Sequence, residues 1–402
     1  MKNNIVHFLP AKAGDCFVIE FDNGECIIID AGYKSTYYDE LKPLLVKLRK
    51  KGCKVVLLVI THIDQDHIEG AIELISENGR SSSPQIIEIE NIWFNGFFNM
   101  VIKNEIFEKN KKNILSSIQK NKMRLVKEDI TKQIAITDGN ISAKHSKKFE
   151  KLCLTYGYQM NSQFSDGVVR RNFENMDSVF KDSKSIGECE VTVLSPNTKM
   201  LEKLSKVFNR EMIKLFGKDY NISEDEDFWY IFEKLGLLLY EEYDLEENIS
   251  ASESKLEDWV GTAKLAKMND LNKASIVVRI QYKEYKLLFT GDSDSECWDE
   301  FLEEEYDVIK LSHHGTTKPN QKIVEKTRAM HIIISTNGEK YNHPENDLLA
   351  AALLKGNKKM YFNYDISQKE MLLNNQKKYG FEVFFNKKEI DLGGDNNGGI
   401  YS

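Results

Sequence analysis

An apolar run followed at once by clustered histidines and carboxylates constrains this chain more than any other feature. The run, Val55–Ile60, is apolar at every position and predicts a buried strand. The next segment, Thr61–Gly70, carries two imidazoles and two carboxylates, at His62, Asp64, Asp66 and His67. Imidazole and carboxylate are ligands of divalent cations, and a turn after a strand directs several side chains to one point. We therefore predict a divalent-metal site at this turn.

Histidines and aspartates follow other predicted strands in the same way. An early strand, Ile27–Ile29, ends at Asp30, and a much later strand, Leu287–Phe289, leads to Asp292. Five of the eight histidines follow apolar strands, whereas random placement would scatter them. Besides His62 and His67, these are His313 and His314 after Val308–Leu311, and His343 after His331–Ser335. The pattern predicts one site that collects side chains from distant parts of the chain.

The order of these motifs resembles the metallo-β-lactamase fold. That fold has Asp-x-Gly after an early strand, a turn rich in His and Asp, a later Gly-Asp and a late His. Asp64, in place of the commoner second histidine of the turn, is typical of the ComEC-type branch, a nuclease-like domain attached to DNA-uptake channels. The finer match comprises Phe8-Leu9-Pro10, Gly14-Asp15, Ser195-Pro196, Asn272-x-x-Ser275, Thr290-Gly291-Asp292, Lys310-x-x-His313-His314-Gly315 and Tyr341-Asn342-His343-Pro344. At the level of motifs it covers roughly 60% of the chain.

The resemblance implies a fold of the α/β (α+β) class, the metallo-β-lactamase αββα sandwich, with two divalent metal ions. Zn²⁺ or Mn²⁺ is expected, with Mg²⁺ as an alternative. One ion would be held by Asp66, His67, Asp292 and one of His313 and His314. The other would be held by His62, Asp64 and Asp292, so that the Asp292 carboxylate bridges the two ions.

One departure from the family pattern changes the expected ligand chemistry. Many members of the fold supply a further ligand histidine between the turn and the later Gly-Asp, whereas this chain has only His145 before His313. We interpret His145 as a surface position on a helix and not as a ligand. The ion site that lacks this histidine is then oxygen-rich, which favours Mn²⁺ or Mg²⁺ over Zn²⁺.

Further roles are predicted for four residues. Asp66 would either bind a metal or orient the attacking water, because a carboxylate accepts protons from bound water. His343 would contact a metal or donate a proton to a leaving group, and the alternative is a hydrogen-bonded loop residue. Lys310 would neutralise a substrate phosphate or cap the end of its strand. Asp30 is expected to orient a ligand histidine.

Composition favours a protein that has no membrane partner. No apolar run approaches the roughly 20 residues that span a bilayer, and the N-terminus is too short and too polar for a signal peptide. Six scattered cysteines without a Cys-x-x-Cys pair indicate reduced thiols. We therefore expect a cytoplasmic protein that lacks the channel segments found beside the ComEC-type domain.

Charge patterning predicts one domain, residues 1–390, with two mainly helical insertions and a flexible tail at 391–402. The insertion at about 101–182 is basic, since 103–151 holds 13 Lys and Arg against 6 Asp and Glu. The insertion at about 197–270 is acidic, since 224–258 holds 13 Asp and Glu against 2 Lys. Lysine clusters bind nucleic-acid phosphates, but a solvated helix face gives the same counts. The acidic insertion would pack on the basic one or dock a basic protein partner.

Three functions follow from this sequence. The first is a divalent-metal-dependent phosphodiesterase that uses metal-activated water, most simply a nuclease acting on DNA. The second is a small-molecule metallo-hydrolase for a lactone, thioester or phosphoester. The third is a partner-gated effector module of a multi-protein system, in which the charged insertions mediate assembly.

Overall fold

The chain folds into two β-sheets stacked face to face with helices on both outer sides, as seen in a computed structural model. The structure describes residues 3–96, 145–175, 178, 182–217, 255–263, 268–339, 342–357 and 359–393. The strands are β1 (Ile5–Phe8), β2 (Cys16–Glu20), β3 (Glu25–Ala31), β4 (Lys54–Ile60), β5 (Ile92–Phe94), β6 (Lys184–Ile186), β7 (Cys189–Ser195), β8 (Val277–Tyr282), β9 (Tyr285–Phe289), β10 (Glu305–Lys310), β11 (Arg328–Ile334), β12 (Lys359–Phe362), β13 (Glu382–Phe384) and β14 (Glu389–Asp391).

The longer helices lie on the outer faces. They are α1 (Lys42–Lys50), α2 (Gln65–Asn78), α3 (His145–Tyr156), α4 (Thr198–Phe216), α5 (Asp270–Lys273), α6 (Thr317–Lys326), α7 (Asn346–Leu354) and α8 (Lys369–Tyr379). Two single turns, Lys34–Thr36 and Tyr37–Leu41, lead into α1. Among the residues described here, none of the helices is both long enough and apolar enough to cross a membrane.

Each sheet is mixed, with its parallel strands on the side that carries the site residues. The first sheet has the order β14-β1-β2-β3-β4-β5, in which β3, β4 and β5 are parallel neighbours. The second has the order β13-β12-β11-β10-β9-β8-β7-β6, in which β9 to β13 are parallel. Parallel strands end at the same edge of a sheet, so the loops after β3, β4, β9, β10 and β11 can converge.

Three apolar clusters hold the layers together. Alternate residues of a strand face opposite sides, so Ile27 and Ile29 enter the cluster between the sheets and Ile28 enters the cluster under the helices. Between the sheets, the rings of Phe17 and Phe289 meet edge to face with centroids 5.3 Å apart. The third cluster packs β10 to β12 against α6, α7 and α8. The sandwich predicted from the sequence is therefore the observed fold.

Several element boundaries differ from the sequence prediction. The largely apolar segment 86–94 predicts a strand, but a regular strand forms only at Ile92–Phe94, and Ile89 adds an isolated bridge to Val55. The first residues of the tail predicted at 391–402 are part of the sandwich, and 394–402 lie outside the described residues. Asp391 pairs with Ile5 in β14, and Leu392 donates its backbone N–H to the Asn4 carbonyl at 2.9 Å. Burial of apolar Leu392 between the sheets explains why the chain stays attached.

The predicted insertions are described only in part. Residues 97–144 and 218–254, which hold most of the basic and acidic runs, lie outside the described residues, as do 394–402. Within the first predicted insertion, Phe149 and Cys153 of α3 belong to the core under the first sheet. Beyond α3, Asn161 hydrogen-bonds both the N–H and the carbonyl of Phe94. This part of the segment is thus integrated into the sandwich.

Candidate metal centre

The turn after β4 presents its ligands from the start of a helix. Asp64 is the residue before α2, and Asp66 and His67 lie in its first turn. Two glycines allow the close packing that the turn requires. A Cβ on Gly14 would lie 2.1 Å from the Asp66 carbonyl oxygen, and one on Gly70 would lie 1.9 Å from that of Ala31. These contacts fix α2 against the loop before β2 and against the end of β3.

Four imidazoles converge on one oxygen of Asp292, which follows β9. The distances from Asp292 Oδ2 to the Nε2 atoms of His62, His67, His313 and His314 are 3.8, 3.7, 3.7 and 3.6 Å. Ligand atoms about 2.1 Å from a shared tetrahedral ion lie roughly 3.4 Å apart. These separations are therefore the ones expected around bound divalent ions, and they place Asp292 Oδ2 at the centre of the cluster.

The remaining ligands fall into two groups around Asp292. The Asp66 group is Asp66, His67 and His314, in which Asp66 Oδ2 is 3.9 Å from His67 Nε2 and 3.7 Å from His314 Nε2. Its potential ligand atoms all lie within 4.8 Å of one another.

The Asp64 group contains His62 and Asp64, with Asp64 Oδ2 3.6 Å from His62 Nε2, and we assign His313 to it as the remaining imidazole at Asp292. Among the described residues, no compact set of potential ligands includes Asp64 or His313, whereas His62 forms one with His67 and Asp292. The Asp64 group is thus the more open of the two and adjoins the Asp66 group at His62.

Of the paired histidines, which the sequence did not distinguish, His314 lies 3.7 Å from Asp66 Oδ2, and we assign the two to different groups on this basis. His313 and His314 both have left-handed backbone conformations, with φ of 47° and 54°. Non-glycine residues seldom adopt this region, and two in succession present both neighbouring rings to Asp292 Oδ2. Their ring centroids are 5.9 Å apart at an interplanar angle of 46°. The loop after β10 therefore serves both groups.

Each imidazole is held so that its Nε2 faces Asp292. Nδ1 of His67 lies 2.8 Å from the Asp30 carboxylate, and Nδ1 of His314 lies 2.9 Å from the Ser335 carbonyl. Neither acceptor has a proton to donate, so Nδ1 carries the proton in both rings and leaves the Nε2 lone pair for a ligand. Asp30 thus occupies the orienting position predicted for it.

The other two rings use threonine hydroxyls. Thr61 Oγ1 donates to Asp30 at 2.7 Å and lies 2.9 Å from His62 Nδ1. Thr316 Oγ1 donates to the His313 carbonyl at 2.6 Å and lies 3.3 Å from His313 Nδ1. Because each hydroxyl proton is already used, the hydroxyl oxygen accepts Nδ1–H. The sequence motifs did not indicate either threonine.

The donor set fits two divalent cations. The cluster contains five carboxylates, those of Asp15, Asp30, Asp64, Asp66 and Asp292. It also contains the ammonium of Lys310, which contacts Asp15 and Asp292. With neutral imidazoles the cluster carries four formal negative charges, which two divalent ions balance. In the described part of the chain, neither His62 Nε2 nor His67 Nε2 has a hydrogen-bond partner. Buried polar atoms without partners are rare unless a ligand uses them.

The charges of the cluster shift the pKa values of its members in opposite directions. Although burial opposes it, the carboxylates of Asp30, Asp292 and Asp66 raise the pKa of His67 well above its ordinary value. Burial, only partly offset by Asp292, lowers the pKa of His313 to about 4. Although burial opposes ionisation, the four imidazoles hold the pKa of Asp292 well below its usual range. Asp292 is therefore a carboxylate, and His313 is neutral near pH 7.

Lys310 does not face the opening of the site. Its side chain is 1% exposed, and its ammonium forms an ion pair with Asp15 and donates to the Gly291 carbonyl at 2.9 Å. The ammonium also lies 3.8 Å from Asp292 Oδ1. The predicted contact with a substrate phosphate is therefore replaced by contacts with the protein. Asp15, which the sequence indicated only as part of a motif, lies at the cluster.

Two more polar residues, His343 and Asn272, lie beside His313. His343 Nε2 lies 3.4 Å from Thr316 Oγ1, and the His343 ring centroid is 5.9 Å from that of His313. Burial lowers the pKa of His343 well below its ordinary value, so this ring is neutral. Asn272 Nδ2 lies 3.4 Å from His313 Nε2. His145, predicted on an open surface, is instead half-buried, with Nε2 3.4 Å from Glu69 Oε1 on α2.

Comparison with known proteins assigns the fold. Residues 9–79 match the family model described as the metallo-beta-lactamase superfamily, and this segment includes the turn from His62 to His67. The chain has a metallo-β-lactamase fold. The match spans 71 of the 402 residues, and for this segment the superfamily implies a metal-dependent hydrolase. No curated protein matches the chain.

Two solved structures align with most of the chain at low sequence identity and low TM-score. One is the metallo-beta-lactamase fold protein YhfI from Bacillus subtilis, at 8% identity and a TM-score of 0.35, covering 96% of this chain and 99% of that one. Another is Zn²⁺-bound PqqB from Methylobacterium extorquens, at 8% identity and a TM-score of 0.39, with the same coverage.

Proposed function

We propose that this protein is a two-metal phosphodiesterase and that its substrate is a nucleic acid, most simply DNA. The observation that carries the proposal is the position of Asp292 Oδ2, within 3.6 to 3.8 Å of imidazoles from both ligand groups. Two divalent ions at such a site would activate water near neutral pH and clamp the attacking and leaving oxygens of a displacement. In-line displacement at a phosphodiester uses both of these effects.

The exposure of the ligands indicates where a substrate would enter. Asp64 and Asp66 have side chains that are 18% and 19% exposed, and that of His313 is 11% exposed, whereas those of His62 and His67 are at most 4% exposed. The opening therefore lies on the side of the two turn carboxylates. Asp66 is placed to accept a proton from water that enters there.

His343 is assigned a different role from the one first considered. A neutral imidazole does not serve as a strong acid, so the lowered pKa argues against proton donation by His343. A ring N–H can still donate a hydrogen bond to a substrate oxygen beside His313. We assign His343 this binding role, and we expect its removal to affect turnover less than removal of Asp66.

Two features support a nucleic acid over other esters. The finer sequence motifs resemble the ComEC-type branch, and three of the seven ligand candidates are carboxylates, which suits the hard cations that bind phosphate oxygens. The Lys-rich run at 103–151 adds positive charge to a chain whose net charge is −8. We further propose that this run contacts the substrate backbone, and that the acidic run at 224–258 docks a protein partner.

The test compares wild-type protein with Asp66→Asn on four substrates. These are linear double-stranded DNA, single-stranded DNA, RNA and bis-p-nitrophenyl phosphate, each in Mn²⁺, Mg²⁺ and Zn²⁺ and with EDTA. Asp39→Asn is the matched control, because Asp39 is an exposed carboxylate outside the cluster. We expect metal-dependent cleavage of a polymer by wild type and by Asp39→Asn, and its loss in Asp66→Asn.

Other outcomes would redirect the proposal. Hydrolysis of the small ester alone would indicate a small-molecule metallo-hydrolase with the same centre. Inactivity on all four substrates by a protein that binds two ions would contradict autonomous nuclease activity and indicate a partner-gated module. Activity that persists in EDTA would refute the metal-dependent mechanism.

A further inference from the structure

A buried ion pair supports the carboxylate that both ligand groups share. Lys310 and Asp15 are each 1% exposed, and their side chains are in direct contact. The Lys310 ammonium lies 3.8 Å from Oδ1 of Asp292, whereas the distances from the four imidazoles to Asp292 run to Oδ2. The two oxygens of Asp292 thus face different partners.

The pair also joins the two halves of the centre. Lys310 is the last residue of β10, in the second sheet, and precedes the paired histidines by three positions. Asp15 lies in the loop before β2, in the first sheet, and its backbone N–H donates to the Asp66 carbonyl at 3.2 Å. Asp15 Oδ1 is 3.6 Å from His314 Nδ1. Asp15 therefore contacts Lys310 and His314 through its carboxylate and the Asp66 carbonyl through its backbone N–H.

We propose that Lys310 and Asp15 are positioning residues for the bridging carboxylate. Lys310 holds Oδ1 of Asp292, which leaves Oδ2 for both ions, and Asp15 holds Lys310 in place. The proposal rests on the two-metal function proposed above. A carboxylate without the ammonium could rotate and offer both oxygens to one ion, which would favour one bound ion over two. Lys310 would then set the number of ions as well as their affinity.

Variants must separate positioning from charge. Removing one partner of a buried ion pair leaves an uncompensated charge and destabilises the fold. The double variant Asp15→Asn/Lys310→Met keeps the formal charge of the cluster and is the principal test. Asp15→Asn alone, which keeps an oxygen near Lys310, is the milder variant. Arg279→Met/Glu303→Gln is the matched control, because it removes a largely buried ion pair that does not contact the cluster.

The measurements are Mn²⁺ and Zn²⁺ titrations by calorimetry, ion counts by mass spectrometry, and thermal melts in EDTA. Residues that orient metal ligands typically contribute about 10- to 100-fold in metal affinity. We expect a loss of that size for the second ion in the double variant, a smaller loss in Asp15→Asn, and wild-type affinity in the control. The melt in EDTA establishes that each variant is folded.

Each outcome has a distinct meaning. Wild-type affinity for two ions in a folded double variant would overturn the positioning role and leave only a role in charge balance. Equal losses in the double variant and in the control would also overturn it, because the effect would then be one of general stability. If wild type itself bound no ions, the proposed function would fail first, and the titration of wild type reveals this before any variant is compared.

Discussion

The two ligand groups differ in how firmly the protein holds them. In the Asp66 group, the two imidazoles are fixed by a carboxylate and a backbone carbonyl at 2.8 and 2.9 Å. In the Asp64 group, the two imidazoles rest on threonine hydroxyls at 2.9 and 3.3 Å. A hydrogen bond to a charged acceptor is roughly twice as strong as one between neutral groups. The same residue types therefore form one compact site and one open site.

This difference indicates an order of binding. A site whose ligands are already compact loses less conformational freedom when an ion binds. We expect the first ion to occupy the Asp66 group and the second to occupy the Asp64 group with lower affinity. The open site is also the one that lies beside His343 and Asn272, where a substrate oxygen could complete the coordination.

The largest effect should come from the residue that both groups share. Asp292→Ala removes a ligand from each site, so we expect both ions to be lost. The rate of hydrolysis should fall by far more than the roughly 100-fold loss that is the upper range for residues that only orient a metal ligand. Ion counting on the purified variant checks this. Retention of one tightly bound ion would show that Asp292 does not bridge.

Substitution of the paired histidines tests the asymmetry directly. His314→Ala removes a member of the compact group, so we expect loss of the tighter ion. His313→Ala should leave the tighter ion bound and weaken only the second. Calorimetric titration with Mn²⁺ distinguishes the two variants, and equal losses in both would contradict separate sites.

Asp30→Asn should weaken the compact site more than the open one. The amide retains the size of the carboxylate but loses the charge that orients His67 through Nδ1. We expect a fall of about 10- to 100-fold in affinity for the first ion. The second ion should lose less affinity, because Asp30 reaches His62 only through the Thr61 hydroxyl. The reverse order of losses would refute the assignment of tight and weak sites.

Binding of both ions should depend on pH, and more strongly for the first. The pKa of His67 is raised well above its ordinary value and that of His62 is also raised, so an ion must displace a proton in each group, whereas His313, with a pKa of about 4, is already neutral at pH 7. Affinity for the first ion should therefore rise by about tenfold per pH unit up to the pKa of His67, and fall on acidification. Titrations in buffers of different ionisation enthalpy count the released protons. Release on binding of the second ion only would contradict this assignment.

The smallest effect is expected for Thr316→Val. It removes one hydroxyl that accepts from His313 Nδ1 at 3.3 Å, while the ring stays enclosed. A neutral hydrogen bond contributes about 1 kcal/mol, so affinity for the second ion should fall about fivefold. The first ion should bind as in wild type. A change in the affinity for the first ion alone would contradict the assignment of His313 to the Asp64 group.

The sequence predicted the parts of the centre that depend on local pattern. A buried apolar strand followed by His and Asp identified the turn at His62 to His67, and the same device identified Asp292. The distribution of His313 and His314 between two groups was not predictable, because it depends on two successive left-handed residues that no spacing encodes. The inward direction of Lys310 depends on Asp15, which lies almost 300 positions away in the sequence.

Dependence on tertiary contacts also explains why the positions of His145 and Leu392 differ from the sequence prediction. His145 follows a Lys-rich run and resembles a surface residue in sequence, but the apolar residues Phe149 and Cys153 draw its helix into the core. Leu392, predicted in the tail, is buried between the sheets. In both cases, tertiary packing and not local composition decided the position.

The centre draws its ligands from both sheets, and this has a consequence for unfolding. His62, Asp64, Asp66 and His67 follow a strand of the first sheet, whereas Asp292, His313 and His314 follow strands of the second. Ions bound among them would act as a cross-link between segments more than 200 residues apart in the chain. A cross-link that closes so long a loop restricts the unfolded chain strongly. Each ion at about 100 times its dissociation constant would add roughly 2.7 kcal/mol to the free energy of unfolding, so chelation would loosen the sandwich at this edge first.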